Sequence, residues 1–243
     1  MILYYLIPTY NESDNIPELL SRITKINNIE STFYVFVDDC SSDNTLNILS
    51  SYLKSYKNFH IISKEKNQGP GHSFNLGFEW ILSHSTSIDD IIITMEADNT
   101  SDISILPKMI TISQLGYDIV LASVYAQGGG FDKTSFFRKT ISLIANMLFR
   151  SIYGVKVLTL SSFYRIYSIS ILQKIKQNNK QIIEEKGFIC MLEILLKAIK
   201  EQASVIEVPM ILKSEMRKGK SKMKIFKTTK AYLRFLLKKS IQK

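Results

Sequence analysis

Apolar and polar positions alternate in blocks along the first half of the chain. Ile2–Ile7 is a continuous apolar run that stops at Pro8, where the fixed φ turns the backbone. Asn15-Ile16-Pro17 opens a helix with Leu19, Leu20 and Ile23 on one face, and Ser13 and Asp14 stand where capping residues are expected. Thr32–Val37 is β-rich and ends at Asp38-Asp39; Ser41-Ser42-Asp43 then predicts the cap of a helix running through Leu53. Phe59–Ser63 reads as a third strand. Gly69-Pro70-Gly71 is a turn before a helix over Ser73–Leu82. Asp90–Met95 is a fourth strand that stops at Glu96-Ala97-Asp98. A helix over Ile105–Leu115 and a fifth strand over Asp118–Ala122 follow.

The second half is less regular. Ala126–Lys133 reads as a flexible loop, and residues 135–152 as a helix with Phe136, Ile141, Ile144, Ala145 and Leu148 as its apolar positions. Ser161–Tyr167 is a short strand or turn, Lys186–Lys200 a helix and Val205–Leu212 a strand. Runs that are apolar throughout belong to strands covered on both faces. Helices between them make right-handed crossovers. The expectation is an α/β fold with an open, mostly parallel central sheet flanked by helices. In such sheets ligands bind beyond the carboxyl ends of the strands. Three strands here end in acidic or polar motifs, PTYNE, DDCSSD and EADNTSD, which the sheet would bring into one crevice.

Charge changes the picture at the C-terminus. Net charge is +9 over 243 residues, yet residues 213–243 hold 12 Lys/Arg against Glu215 alone, leaving 19 basic and 21 acidic residues elsewhere. A nearly neutral body with a basic tail suits an anionic partner. In residues 225–241, Phe226, Leu233, Leu237 and Ile241 recur with Ile225, Tyr232 and Leu236 beside them and Lys/Arg opposite, the pattern of a helix lying in a membrane interface. Packing of that helix on the body or on another subunit is the alternative. The division expected is a domain over 1–222 and a basic amphipathic helix over 223–243. No run approaches the roughly 18 apolar residues of a bilayer span, so the expected location is the cytoplasm, at the inner face of the membrane. Cys40 and Cys190 form no CxxC and predict neither a disulfide framework nor a zinc site. The three histidines lack ligand spacing, and no nucleic-acid-binding module is recognisable.

The chemistry concentrates at the strand ends. Glu96 and Asp98, one residue apart after a buried strand, suit Mg²⁺ or Mn²⁺, which binds through one or two carboxylates plus substrate phosphates. Asp38 or Asp39 can accept hydrogen bonds from a base edge or a ribose. Tyr10 offers a flat face for a base, and Glu12 can bond sugar or base. Gly69-Pro70-Gly71 is not a dinucleotide fingerprint, because Phe74 stands where a third glycine is required.

IPTYNE, VDDCSSDNT, NQGPGHSFNLGF and MEADNTSD, in this order, resemble the family 2 glycosyltransferases of the GT-A fold. FRKTISLIANMLFR, SSFYRIY, KGFICMLEILLKA and RKGKSKM narrow the resemblance to the polyprenyl-phosphate sugar transferases, the dolichol-phosphate mannose synthases above all, over roughly residues 2–225. The resemblance implies an inverting, metal-dependent hexosyltransferase. Its donor would be a nucleoside diphosphate sugar and its acceptor a polyprenyl phosphate. Pro8, Tyr10, Glu12, Asp38 and Asp39 would surround the nucleotide, and Glu96, Ala97 and Asp98 would form the metal motif. Arg138 would meet the acceptor phosphate, Arg217 and Lys222 would contact phosphates from a loop, and Arg165 would be structural or near the acceptor. Glu96 replaces the first Asp of the family's DxD, and Val124 and Thr159 also depart from the family pattern.

A phosphate acceptor is already an anion and needs positioning and charge matching, which Arg138, Arg217 and Lys222 suit. A saccharide hydroxyl, as in surface-polysaccharide synthesis, needs a general base, for which Glu193 is the candidate. An inactive nucleotide-sugar-binding protein is a third reading, motivated by the departures at Glu96, Val124 and Thr159.

Overall fold

The computed structural model describes residues 1–26, 31–54, 56–134, 136–223 and 225–240. Its centre is a seven-stranded sheet in the order β3-β2-β1-β4-β7-β5-β8. These strands are β1 (Leu3–Thr9), β2 (Thr32–Asp38), β3 (Phe59–Ser63), β4 (Ile91–Thr94), β5 (Ile119–Ser123), β7 (Arg165–Ser168) and β8 (Val205–Pro209). Only β7 runs antiparallel, hydrogen-bonded between β4 and β5. The mostly parallel sheet flanked by helices is therefore the architecture the apolar blocks predict.

The buried faces follow from the strand pattern. Tyr4, Leu6, Val35, Val37 and Ile92 point to one side of the sheet, where α3 (Pro70–His84), α6 (Ile169–Asn178) and α7 (Cys190–Lys200) cover them. Tyr5, Ile7, Tyr34, Phe36 and Ile93 point to the other side, under α1 (Ile16–Ile23), α2 (Thr45–Leu53) and α4 (Leu106–Ser113). Alternation by two thus divides one apolar run between two cores.

The second half differs from expectation in four places. Gly130–Asp132, inside the expected loop, is a strand, β6, paired in parallel with β9 (Ile211–Lys213). The expected strand over Val205–Leu212 is correspondingly split at Met210 into β8 and β9. α6 follows β7 directly, its N-terminus capped by the Ser168 hydroxyl, which accepts from Ile171 N–H at 3.3 Å. α7 begins at Cys190, later than Lys186, because residues 184–186 are an irregular segment that meets the start of α3, where the Gly71 N–H donates to Lys186 O at 2.9 Å.

The helix over 136–153, α5 (Phe136–Tyr153), forms as expected, but Phe136, Ile144 and Leu148 face outward. The C-terminal helix α8 (Ile225–Ser240) packs Phe235, with Tyr232 and Leu236 beside it, against the core. Phe149 and Tyr232 meet edge-on at 5.0 Å between ring centroids, and Tyr153 lies 6.3 Å from Phe235. The expected apolar line on α8 is therefore divided. One row seals the body, while Leu233 and Leu237 stay exposed. Ile241 lies outside the described residues. No helix among them is long and apolar enough to cross a membrane.

Candidate active site at the strand ends

The carboxyl ends of β2, β1 and β4 lie side by side, with Thr9 opposite Asp38 and Leu6 opposite Thr94. The three motifs therefore do meet on one rim. Each turns away from its strand through a left-handed residue: Asn11 (φ 53), Cys40 (φ 62) and Asn99 (φ 65). Non-glycine residues adopt this conformation rarely, asparagine most readily. The asparagine side chains then stitch the turns together. Asn11 Oδ1 accepts from Ser42 N–H at 2.8 Å, and Asn99 Nδ2 donates to Asn15 O at 2.9 Å.

The acids on this rim sit in two kinds of surroundings. Asp38 is fully buried, and it accepts the Ser41 N–H (2.8 Å), the Ser41 hydroxyl (2.5 Å) and the Thr9 hydroxyl (3.2 Å). Asp39 accepts the Gln68 and Gly69 N–H groups at 2.8 and 2.7 Å and pairs with the buried Lys64 ammonium. Gly69 (φ 88) leaves no room for a Cβ, which would meet Lys186 O at 2.5 Å, and a Cβ on Gly71 would meet Glu185 O at 1.9 Å. Of the expected capping residues, only Asp43 reaches the start of its helix. Ser41 serves Asp38, Ser42 serves Asn11, and Asp43 takes the Thr45 N–H and hydroxyl at 3.0 and 2.5 Å. Ser13 donates its N–H to Asp43 at 3.1 Å, and neither Ser13 nor Asp14 caps α1.

Glu12, Glu96 and Asp98 are held differently. Glu96 Oε2 accepts the Ser101 hydroxyl at 2.5 Å and Oε1 lies 3.4 Å from Phe163 N. Burial, and then the neighbouring Asp98 charge, push its pKa above the ordinary glutamate range. Asp98 Oδ1 accepts the Thr100 hydroxyl at 2.6 Å. Its Oδ2 is gripped by Arg217, with Nε at 2.7 Å and Nη2 at 2.5 Å. Glu12 Oε2 accepts Asn15 Nδ2 at 2.6 Å, while Lys222 Nζ stands 3.3 Å from Oε1. Burial raises its pKa, partly opposed by the Lys222 charge. A basic stretch, 217–222, thus reaches across the crevice and places two cations on two acids from different strand ends.

The expected nucleotide-facing residues line the same rim. Tyr10 is exposed, Pro8 half-buried, and Ala97 buried between the two acids. Arg138 lies on α5, but its side chain is outside the described residues. Arg165 is fully buried and donates to the carbonyls of Leu160, Ser162 and Met191 at 2.8 to 2.9 Å, a structural brace for β7 and α7. Glu193 is committed elsewhere. Its carboxylate accepts the N–H groups of Glu184 and Glu185 at 2.8 to 3.1 Å and pairs with Lys197 at 2.8 Å. That geometry ties the irregular segment 184–185 to α7 beside Gly69 and Gly71, so in this structure Glu193 serves as an anchor of the fold.

Comparison with known proteins decides the family. The family model described as Glycosyl transferase family 2 matches residues 5–176. The chain belongs to glycosyl transferase family 2. Its curated relatives include the polyprenol monophosphomannose synthase of Mycolicibacterium smegmatis, 28% identical over 90% of this chain and 79% of that one. Another is the dolichol-phosphate mannosyltransferase of Pyrococcus furiosus, 31% identical over 95% of this chain and 61% of that one, so the chain spans under two thirds of that relative. Among solved structures, the glucosyl-3-phosphoglycerate synthase of Mycobacterium tuberculosis in complex with Mn²⁺ and UDP-glucose superimposes with TM-score 0.64 at 13% identity, over 95% of this chain and 76% of that one. S. aureus TarS 1-349 gives TM-score 0.57 at 24% identity, over 88% of this chain and 58% of that one. These similarities in shape establish the GT-A fold for this family 2 glycosyltransferase.

Asn15 and Asn99 are the site residues that the sequence reading missed in their present role. Asn15 reads there only as a helix start. The signal was local: an Asn three residues after Glu12, and another directly after EAD.

Proposed function

We propose that this glycosyltransferase moves a hexose from a nucleoside diphosphate sugar to a polyprenyl phosphate, with Mg²⁺ or Mn²⁺ and with inversion at the anomeric carbon. The observation that carries the reading is the meeting of Asp98 with Arg217 and of Glu12 with Lys222 at the strand ends, beside Glu96. Two carboxylates one residue apart fit a hard divalent cation whose remaining ligands are waters and diphosphate oxygens. Asp98 already sits against positive charge and accepts from a hydroxyl, the environment of a ligand carboxylate with a fixed orientation. When bound, the cation supplies charge stabilisation for the departing diphosphate. Arg217 and Lys222 add donors to that diphosphate from the loop, and Tyr10, Pro8 and Glu12 bound the nucleotide. Arg138 on α5 is assigned to the acceptor phosphate. A phosphate acceptor needs no general base, which agrees with the engagement of Glu193 in the fold.

The lipid side of the reading rests on α5 and α8. Phe136 (84% exposed), Leu143, Ile144, Met147, Leu148 and Ile152 form an outward apolar row on α5, and Leu233 and Leu237 form another on α8. The Phe149–Tyr232 contact brings the two helices together. Lys230 and Arg234 are exposed beside them, and each cation near an anionic leaflet adds about 1 kcal/mol to binding. These apolar rows and cations support a location on the cytoplasmic membrane surface.

An acceptor-swap assay tests the proposal. Radiolabelled GDP-mannose and UDP-glucose are offered with Mn²⁺ and either undecaprenyl and dolichyl phosphates or free saccharides. Label entering the lipid-phosphate fraction is expected. Label entering only saccharides would overturn the acceptor assignment.

A further inference from the structure

Asn15 lies at the start of α1, is 1% exposed, and is joined to three segments that are far apart in sequence. Its Oδ1 accepts the Lys218 N–H at 2.9 Å, and its Nδ2 donates back to Lys218 O at 3.0 Å. The side-chain amide thus pairs with a backbone peptide group in both directions, as one strand pairs with another. The same Nδ2 donates to Glu12 Oε2 at 2.6 Å, and the Asn15 carbonyl accepts from Asn99 Nδ2 at 2.9 Å, one residue beyond Asp98. Lys218 itself is exposed, and Gly219 after it (φ 84) has open space around its Cα. The stretch from 217 to 223 therefore has no core of its own. Beyond the cations on Asp98 and Glu12, its fixed point is this amide.

We infer that Asn15 is a positioning residue. It clasps the backbone at Lys218 so that Arg217 and Lys222, on either side, point into the crevice where a donor diphosphate would lie. The inference rests on the proposed function for what the loop serves, but not for the clasp itself. The chemistry is specific. An amide has one acceptor and two donors on one plane, and all three are used here. Aspartate at this position keeps the acceptor for the Lys218 N–H, loses both donors and places a second negative charge beside Glu12. Alanine loses everything.

Trypsin and hydrogen exchange test the clasp without donor, metal or acceptor. Arg217, Lys218 and Lys220 are cleavage sites on the held loop, and cutting reports how often the loop stands open. In Asn15→Ala the loop is expected to be cut on the order of tenfold faster than in wild type, as the loss of two net hydrogen bonds implies. Asn15→Asp is expected to fall between Asn15→Ala and wild type or to match Asn15→Ala. Because Asn15 is buried, Lys218→Pro provides a second route. At an exposed residue it deletes the donated N–H, together with the Lys218 side chain and the freedom of φ there, and is expected to speed exchange at residues 219–223 as Asn15→Ala does. Unchanged cleavage in Asn15→Ala together with unchanged exchange in Lys218→Pro would overturn the clasp. For the positioning role, both variants are expected to raise KM for GDP-mannose or UDP-glucose about tenfold while kcat changes less than threefold. A loosened loop with unchanged donor KM would overturn that role, and it would do so whether or not the acceptor is a lipid phosphate.

Discussion

On one side of β1, after β2, Asp38 and Asp39 are surrounded by the protein itself: three backbone N–H groups, two hydroxyls and the buried Lys64. On the other side, after β4, Glu96 and Asp98 are met by hydroxyls and by a guanidinium that arrives from residue 217 on an exposed loop. Both pairs are strand-end acids on adjacent parallel strands. What separates them is the origin of their partners. The Asp38-Asp39 pair is neutralised by groups whose positions the core fixes, so its charge stabilises the turn that shapes the crevice. Asp98, in the second pair, is met by a guanidinium from a loop with no core of its own, which suits the proposed exchange of that cation for a metal ion.

Substitutions on the two sides should break apart accordingly. Asp98→Asn is expected to lower metal-dependent transfer at least a thousandfold, equivalent to about 4 kcal/mol of transition-state stabilisation, with the melting temperature nearly unchanged. A variant that keeps a tenth of wild-type turnover would remove Asp98 from the metal site. Asp39→Asn should do the reverse. It leaves the Lys64 ammonium buried without its counter-charge, and the expected loss is about 3 kcal/mol of stability in urea denaturation. Normal stability in this variant would mean that Lys64 is compensated elsewhere.

Arg217→Ala should raise donor KM about tenfold and leave the fold intact, because what is lost is the proposed contact to the diphosphate and the pairing with a partly exposed acid. A fall in kcat with KM unchanged would place Arg217 on the reacting centre instead. The smallest effect concerns pH. Burial and Asp98 raise the Glu96 pKa, and the Ser101 hydroxyl opposes them. As pH falls, Glu96 takes a proton earlier than a free glutamate and the site loses an anion, so the acid limb of kcat/KM lies above the ordinary glutamate range. For stability the sign is opposite. The folded state binds this proton more tightly than the unfolded chain, so between the two pKa values its contribution to stability rises as pH falls. Ser101→Ala removes the opposing hydrogen bond and should move the acid limb to higher pH. A shift to lower pH would contradict the stated cause.

The comparison also shows what a sequence makes legible. The run-and-stop pattern of Ile2–Ile7, Thr32–Val37 and Asp90–Met95 located the strands and their polar ends, because burial on both faces leaves a continuous apolar signature. The antiparallel insertion of β7 and the short β6–β9 pair were not legible. Three- or four-residue strands have too few positions for a period, and glycines dominate 128–130. Asp38-Asp39 and Glu96–Asp98 read alike in sequence, and only their long-range partners, Lys64 and Arg217, tell them apart. Glu193 was legible as a buried acid on a helix, but two of its partners lie at 184–185 in an irregular segment that carries no pattern. Asn15 was visible only as a helix start because its partner lies 203 residues away.

The central claim is that Asp98 and its partners form a metal-dependent site for a nucleoside diphosphate sugar. Thermal unfolding of wild type and Asp98→Asn with GDP-mannose or UDP-glucose, each with and without Mn²⁺, tests it most directly, since a ligand that binds only the folded state raises the melting temperature. The account predicts a rise in wild type that requires both the sugar nucleotide and Mn²⁺ and is absent in Asp98→Asn. No rise with either donor, or an equal rise in Asp98→Asn, would contradict it.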